Sequence, residues 1–126
     1  MFEQDYIMRQ IHQIIQVLMK TIFNIDSPSP SKELIKDMET KKIADDMLRT
    51  IDNGKIAEAE EVLFSLIQNK TLDNLLAGIV FYSYLNEKDD AYLEMNHYSR
   101  GDAENCLKRL LSEYGLEYMA NLFFYD

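Results

Sequence analysis

Residues 72–85 read LDNLLAGIVFYSYL, a segment that is apolar on almost every side when it is drawn as an α-helix. A helix of this kind is normally buried at the centre of a fold, because no face of it suits water. Gly78 lies inside the segment, where glycine costs about 1 kcal/mol relative to alanine. We therefore predict a central helix against which another helix packs closely at Gly78. The large apolar side chains of the segment are Leu75, Leu76, Ile79, Val80, Phe81, Tyr82 and Tyr84.

The segment from Asp5 to Phe23 carries a broad apolar stripe at helical spacing. The stripe consists of Ile7, Ile11, Ile14, Leu18 and Ile22, with Met8, Ile15 and Met19 beside it. The opposite face is polar, and the stripe is wider than the seam of a coiled coil. We expect it to face the core of the protein. The alternative is that it faces both a core and a partner.

Further helices are indicated on both sides of the central segment. Glycines and capping residues set their expected limits. No segment alternates between apolar and polar residues as a strand does. The sequence therefore predicts an all-α fold, a single-domain bundle of five or six helices over residues 1–126, built from helical hairpins. Before the central segment we expect a helix that begins at Pro30 and is capped by Ser29, a helix that is capped by Thr40 and ends before Gly54, and a helix over 56–68. After it we expect one or two helical turns over 91–95, a helix from the Ser99–Asp102 capping box to Tyr114, and a short apolar tail.

Composition and charge exclude several classes of protein. The chain has 126 residues, of which 47% are apolar, and this is enough to form one independent core. The net charge is −9, and residues 54–126 hold thirteen acidic and six basic side chains, a poor match to nucleic acid. Cys106 is the single cysteine, which excludes an internal disulfide and favours a cytoplasmic location. Polar residues interrupt the apolar stretch between 2 and 23, so we expect neither a signal segment nor contact with a membrane.

Metal and catalytic chemistry have weak candidates. Glu94 and His97 have the three-residue spacing of helical di-iron sites, with Asp89 and Asp90 nearby. Such a site needs a second Glu-x-x-His, which the sequence lacks, so we interpret the group as a solvated acidic loop. Cys106 fits a packing role better than that of a nucleophile. We expect no metal, no cofactor and no catalytic residue.

Two glycines begin similar short motifs. Gly54 and Gly101 each precede a small residue at the fifth following position, and both stretches resemble the turn of a tetratricopeptide hairpin. They lie 47 positions apart, whereas that repeat has a period of about 34 residues. A bundle that uses similar helical hairpins is therefore a better interpretation than a repeat array.

Most of the chain also resembles a family of small, all-helical proteins from Gram-positive bacteria. The resemblance is carried by EQDYIMR at 3–9, the turn from Gly54 to Phe64, FYSYLN at 81–86, Tyr98-Ser99-Arg100 and Tyr114-Gly115. This family is classed as a domain of unknown function. The resemblance implies a helical domain in the bacterial cytoplasm and assigns no catalytic or binding residue.

Two hypotheses for the function follow. The first is a small protein-interaction module that self-associates or docks a protein partner through apolar helix faces. Its predicted contact residues are Ile7, Ile11, Ile14, Leu18, Phe123 and Phe124. The second is a small-ligand binder or an enzyme with a site between helices. Its candidates are Cys106, a tyrosine-rich interior and the group Asp90, Glu94 and His97.

Overall fold

The computed structural model describes residues 2–26 and 29–124 of the chain. Within these ranges it forms seven α-helices, one short 3₁₀ helix and no β-strand, and the helices pack together as one domain. The all-α prediction is thereby confirmed, with more helices than the five or six expected. The helices are α1 (Phe2–Phe23), the 3₁₀ helix (Lys32–Leu34), α2 (Met38–Asp52), α3 (Ile56–Leu66), α4 (Leu72–Asn86), α5 (Asp90–Met95), α6 (Arg100–Glu113) and α7 (Glu117–Phe123).

Helix α4 occupies the centre, as its composition predicts. Every residue from Asn74 to Tyr82 is buried, and α1, α2, α3 and α6 all pack against the helix. Gly78 lies at the contact with α6. A Cβ atom at this position would lie 2.7 Å from Cδ2 of Leu110, which is closer than packed carbon atoms approach. The predicted close approach of a second helix at Gly78 is confirmed.

The helix starts show which sequence signals were interpreted correctly. Ser99 and Asp102 form the predicted capping box of α6. The expected caps at Ser29 and Thr40 are wrong. Ser31 caps the 3₁₀ helix instead, and Asp37 caps α2 by accepting a hydrogen bond from the Thr40 backbone N–H. Asp37 is the N-cap in place of Thr40 because its carboxylate also accepts a hydrogen bond from the Thr40 hydroxyl. Thr40 therefore lies inside the helix.

The two glycine motifs occupy different places in the fold. Gly54 has a φ of 80° and lies in the turn that joins α2 to α3 as a hairpin. Gly101 lies within the first turn of α6. The two positions are not equivalent turns, so their spacing does not mark a repeat.

The C-terminal segment packs on the fold's own core. It forms α7, which contacts α1 and α6, and Phe124 is buried. The side-chain Nε2 of Gln10 donates a hydrogen bond to the Phe123 carbonyl oxygen, and this bond joins α1 to the end of α7. The apolar tail therefore covers the first helix.

Candidate functional site

A polar cluster joins α3, α4 and the segment before α6. The hydroxyls of Tyr82 and Tyr98 both donate hydrogen bonds to Oε2 of Glu60, at 3.1 and 2.7 Å. Tyr82 is almost fully buried on the central helix, whereas Glu60 is half-buried on α3. The carboxylate of Glu60 is thus fixed in place by two hydroxyls from different parts of the chain.

The electrostatics of the cluster keep its hydroxyls and thiol protonated. Burial raises the pKa of Tyr82 and of Tyr98 far above the usual value, and the Glu60 carboxylate raises both further. Burial, followed by the charge of Glu60, raises the pKa of the Cys106 thiol to about 11. Because the thiolate is the nucleophilic form, Cys106 is not an activated nucleophile at neutral pH.

A cavity of about 430 Å³ opens from this cluster to the surface between α3 and α6. The Arg109 guanidinium stacks over the ring of Phe64, with Cζ 4.0 Å from the ring centroid. Within residues 2–26 and 29–124, neither Arg109 nor Glu61 has an ion-pair partner. The cavity therefore combines two carboxylates with one guanidinium that forms no ion pair with any residue the structure describes. Its lining is Ala57, Glu60, Glu61, Phe64, Cys106 and Arg109.

A second opening, of about 530 Å³, lies between α2 and α3 and is called the α2–α3 groove below. Its lining consists of the apolar Ile43, Val62 and Leu66 and the polar Glu58, Glu61 and Ser65. Val62 keeps 45% of its surface exposed, and both glutamates are exposed. The groove is thus an open apolar surface bordered by negative charge.

A third cavity, of about 520 Å³, lies where α2 and α4 begin. Several of its polar groups are hydrogen-bonded to one another. The Asp37 backbone N–H donates to Asp73 at 2.7 Å, and the Thr40 hydroxyl lies 3.0 Å from Oδ1 of Asn74. These bonds join the two helix starts, so we assign the polar residues a structural role.

The residues predicted for docking lie mostly inside the fold. Ile11, Ile14 and Leu18 have no exposed surface, and Phe124 keeps 5%. Ile7 and Phe123 are half-buried and pack against the same core. In the folded chain the stripe of α1 is occupied by the chain's own helices, and its contact with another protein stays a prediction.

Asp90, Glu94 and His97, the group named in the second hypothesis, do not form one site in the structure. Asp89 caps α5, and Asp90 accepts a hydrogen bond from Nε of Arg100. Glu94 and His97 are exposed, and His97 lies beyond the C-cap of α5 with a φ of 58°. In the part of the chain that the structure describes, no three His, Cys, Asp or Glu side chains come together as a metal site. Cys106 lies instead beside Glu60.

Sequence reasoning missed Glu60, Tyr98 and Arg109. Glu60 falls near the start of the helix predicted over 56–68, where any acidic side chain favours the helix dipole, so its position gives no sign of a site. Its hydrogen-bond partners are 22 and 38 positions away along the chain. No local spacing indicates such a cluster, because it forms only where three elements meet.

Comparison with known proteins places the chain in a family without assigning an activity. No helix of the described residues has the length and apolar character needed to cross a membrane. No curated protein and no solved structure matches the chain. One family model matches residues 1–115, a span that includes the Glu60 cluster and the α2–α3 groove and ends before α7. This match confirms the resemblance to a family of unknown function, and the chain belongs to the DUF6483 family.

Proposed function

We propose that the protein is an interaction module that docks a basic, amphipathic helix of a protein partner in the α2–α3 groove. The observation that carries this proposal is the combination of exposed apolar surface at Val62 with exposed glutamates beside it. Grooves of this kind accept the apolar face of a helix, which contributes side chains at helical spacing.

The charge of the groove favours a basic partner. Glu58 and Glu61 are exposed, and neither has a cationic partner among the residues described. Lysine or arginine on the edge of a docked helix would pair with them and would speed its association. A second copy of this chain carries the same charge of −9, so repulsion disfavours self-association.

The location of the groove differs from the docking face predicted from sequence. Ile11, Ile14 and Leu18 have no exposed surface to offer, whereas Val62 does. A further exposed apolar pair, Tyr118 and Leu122, lies on α7, where Glu117 is nearby. This pair provides a comparison surface on the same molecule. We also propose a cytoplasmic location, which rests on the free thiol of Cys106.

Two designed peptides would test the proposal. Both have leucines at helical spacing, and their polar positions are all lysine in one and all glutamate in the other. In an NMR titration, we expect the lysine peptide to shift the amide signals of Ile43 and of residues 58–66. The glutamate peptide should leave these signals unchanged.

Matched variants separate charge from general effects. Exposed ion pairs contribute about 0.2–1 kcal/mol each, so the double change Glu58→Gln and Glu61→Gln should weaken binding about two- to thirtyfold. The control is Glu39→Gln with Glu94→Gln, which removes the same charge from exposed helical positions elsewhere. The α2–α3 groove is refuted as the docking site if the two double variants weaken binding of the lysine peptide equally. It is also refuted if the peptide-induced NMR shifts are centred on Tyr118. If the protein forms a dimer and Val62→Asp abolishes it, the occupant of the groove is a second copy of the chain and not a basic partner.

A further inference from the structure

The cavity between α3 and α6 carries charges of both signs. Glu60 and Glu61 contribute two carboxylates, and Arg109 contributes one guanidinium. A simple anion would meet two like charges there, and a simple cation would meet the guanidinium. The lining therefore matches a molecule that has both an acidic and a basic group, with an excess of positive charge.

The charged groups have capacity left for a ligand. Both phenol hydroxyls bond to Oε2 of Glu60. The Cys106 thiol also hydrogen-bonds to this carboxylate but is a weak donor, so an ammonium group can compete for it. The Arg109 guanidinium lies over Phe64, with Cζ 4.0 Å from the ring centroid, and the N–H groups of a guanidinium project from the edge of its plane. Such an edge binds a carboxylate through two parallel hydrogen bonds.

We infer that this cavity binds a free basic α-amino acid. Its α-ammonium group donates to Glu60, its carboxylate binds Arg109, and its side-chain cation pairs with Glu61. A ligand with two positive charges and one negative charge neutralises the lining. The volume of about 430 Å³ lies within the range of small-molecule sites. This inference goes beyond the docking proposal, because the cavity lies on the α6 side of α3.

A set of related probes tests each contact in turn. The probes are L-lysine, norleucine without the side-chain ammonium, 6-aminohexanoate without the α-ammonium, and cadaverine without the carboxylate. We expect L-lysine to bind most tightly in calorimetric and NMR titrations, with shifts at Glu60, Cys106 and Arg109. Each missing charge-assisted hydrogen bond should weaken binding about tenfold or more.

Arg109→Leu is the decisive variant, because Arg109 is exposed and its replacement by another helix-forming side chain should leave the fold intact. It should weaken L-lysine binding about tenfold or more, whereas cadaverine, which has no carboxylate for Arg109 and is repelled by its charge, should bind at least as tightly as before. Arg49→Leu is the matched control, since Arg49 is also an exposed helical arginine but lies on α2, and it should bind L-lysine like the original protein.

The inference is overturned if L-lysine and cadaverine bind alike, if Arg109→Leu has no effect, or if no probe binds. These failures are distinct from failure of the docking proposal. Glu61 lines both sites, but Ile43 and Val62 line only the α2–α3 groove, whereas Cys106 and Arg109 line only this cavity. Shifts at the first pair therefore report on the peptides alone, and shifts at the second pair report on L-lysine alone.

Discussion

Replacement of the buried arginine of α6 is expected to cost the fold much of its stability. Arg100 keeps only 3% of its surface exposed. Its Nε donates to Asp90 at 2.9 Å, its Nη1 to the Asn86 carbonyl oxygen at 3.1 Å, and its Nη2 to the Lys88 carbonyl oxygen at 2.6 Å. One side chain thus joins the end of α4, the following turn and the start of α5 to α6.

The expected loss follows from these bonds. Arg100→Leu leaves two backbone carbonyls without their donor, at about 1–3 kcal/mol each. Burial of the leucine side chain and relief from desolvating a charge return part of this cost. Loss of the Asp90 contact adds little, because the Asp90 side chain is 47% exposed. We expect the free energy of unfolding to fall by about 3 kcal/mol, on the basis of these typical values.

Urea unfolding followed by circular dichroism measures this loss. With a slope of about 2 kcal/mol/M, the midpoint of unfolding should fall by about 1.5 M. Arg100→Lys keeps the charge but has fewer donors, so we expect an intermediate value.

Arg49→Leu is the control, because Arg49 is 62% exposed and pairs with Asp45 and Asp46 on the surface of α2. It should cost less than about 1 kcal/mol. The reasoning is refuted if Arg100→Leu and Arg49→Leu lower the free energy of unfolding by amounts that agree within about 0.5 kcal/mol. Burial would then have no effect on the strength of these hydrogen bonds.

Two further predictions concern the thiol and the turns. The pKa of Cys106 is raised to about 11, so its alkylation by iodoacetamide at pH 8 should be about 100-fold slower than that of free cysteine and should rise up to about pH 11. Glu60→Gln should move this profile to lower pH, and a plateau near pH 9 in the original protein would contradict the raised pKa. Gly54→Ala should destabilise the protein more than Gly115→Ala in urea unfolding. Both glycines have positive φ, which costs alanine about 1 kcal/mol or more, but only at Gly54 would the new methyl group collide with Asn96. Equal losses would show that Asn96 moves aside.

The local architecture of this protein could be predicted from the sequence. The apolar character of residues 72–85 indicated the central helix, and Ser99 with Asp102 indicated the start of α6. These signals work because caps and helical faces depend on residues a few positions apart. The missed cap at Asp37 has the same local origin, since aspartate and threonine competed within one turn.

The candidate sites could not be predicted in this way. Periodicity showed that α1 has an apolar face but not whether the chain or a partner covers it, and the structure packs this face in the chain's own core. Glu60 and Arg100 gave only the signals of ordinary helical charges. Their roles depend on Tyr82, Tyr98 and Asn86, which reach them from other elements.

The sequence by itself thus determined an all-helical chain, its central helix and most of its helix limits. Only the tertiary structure decided which faces meet, which charges are buried and which surfaces stay open beside α3. The physical reason is the range of the interactions. Helix formation and capping act within a turn or two of the backbone, whereas a cavity or a buried ion forms between segments that the chain brings together only on folding.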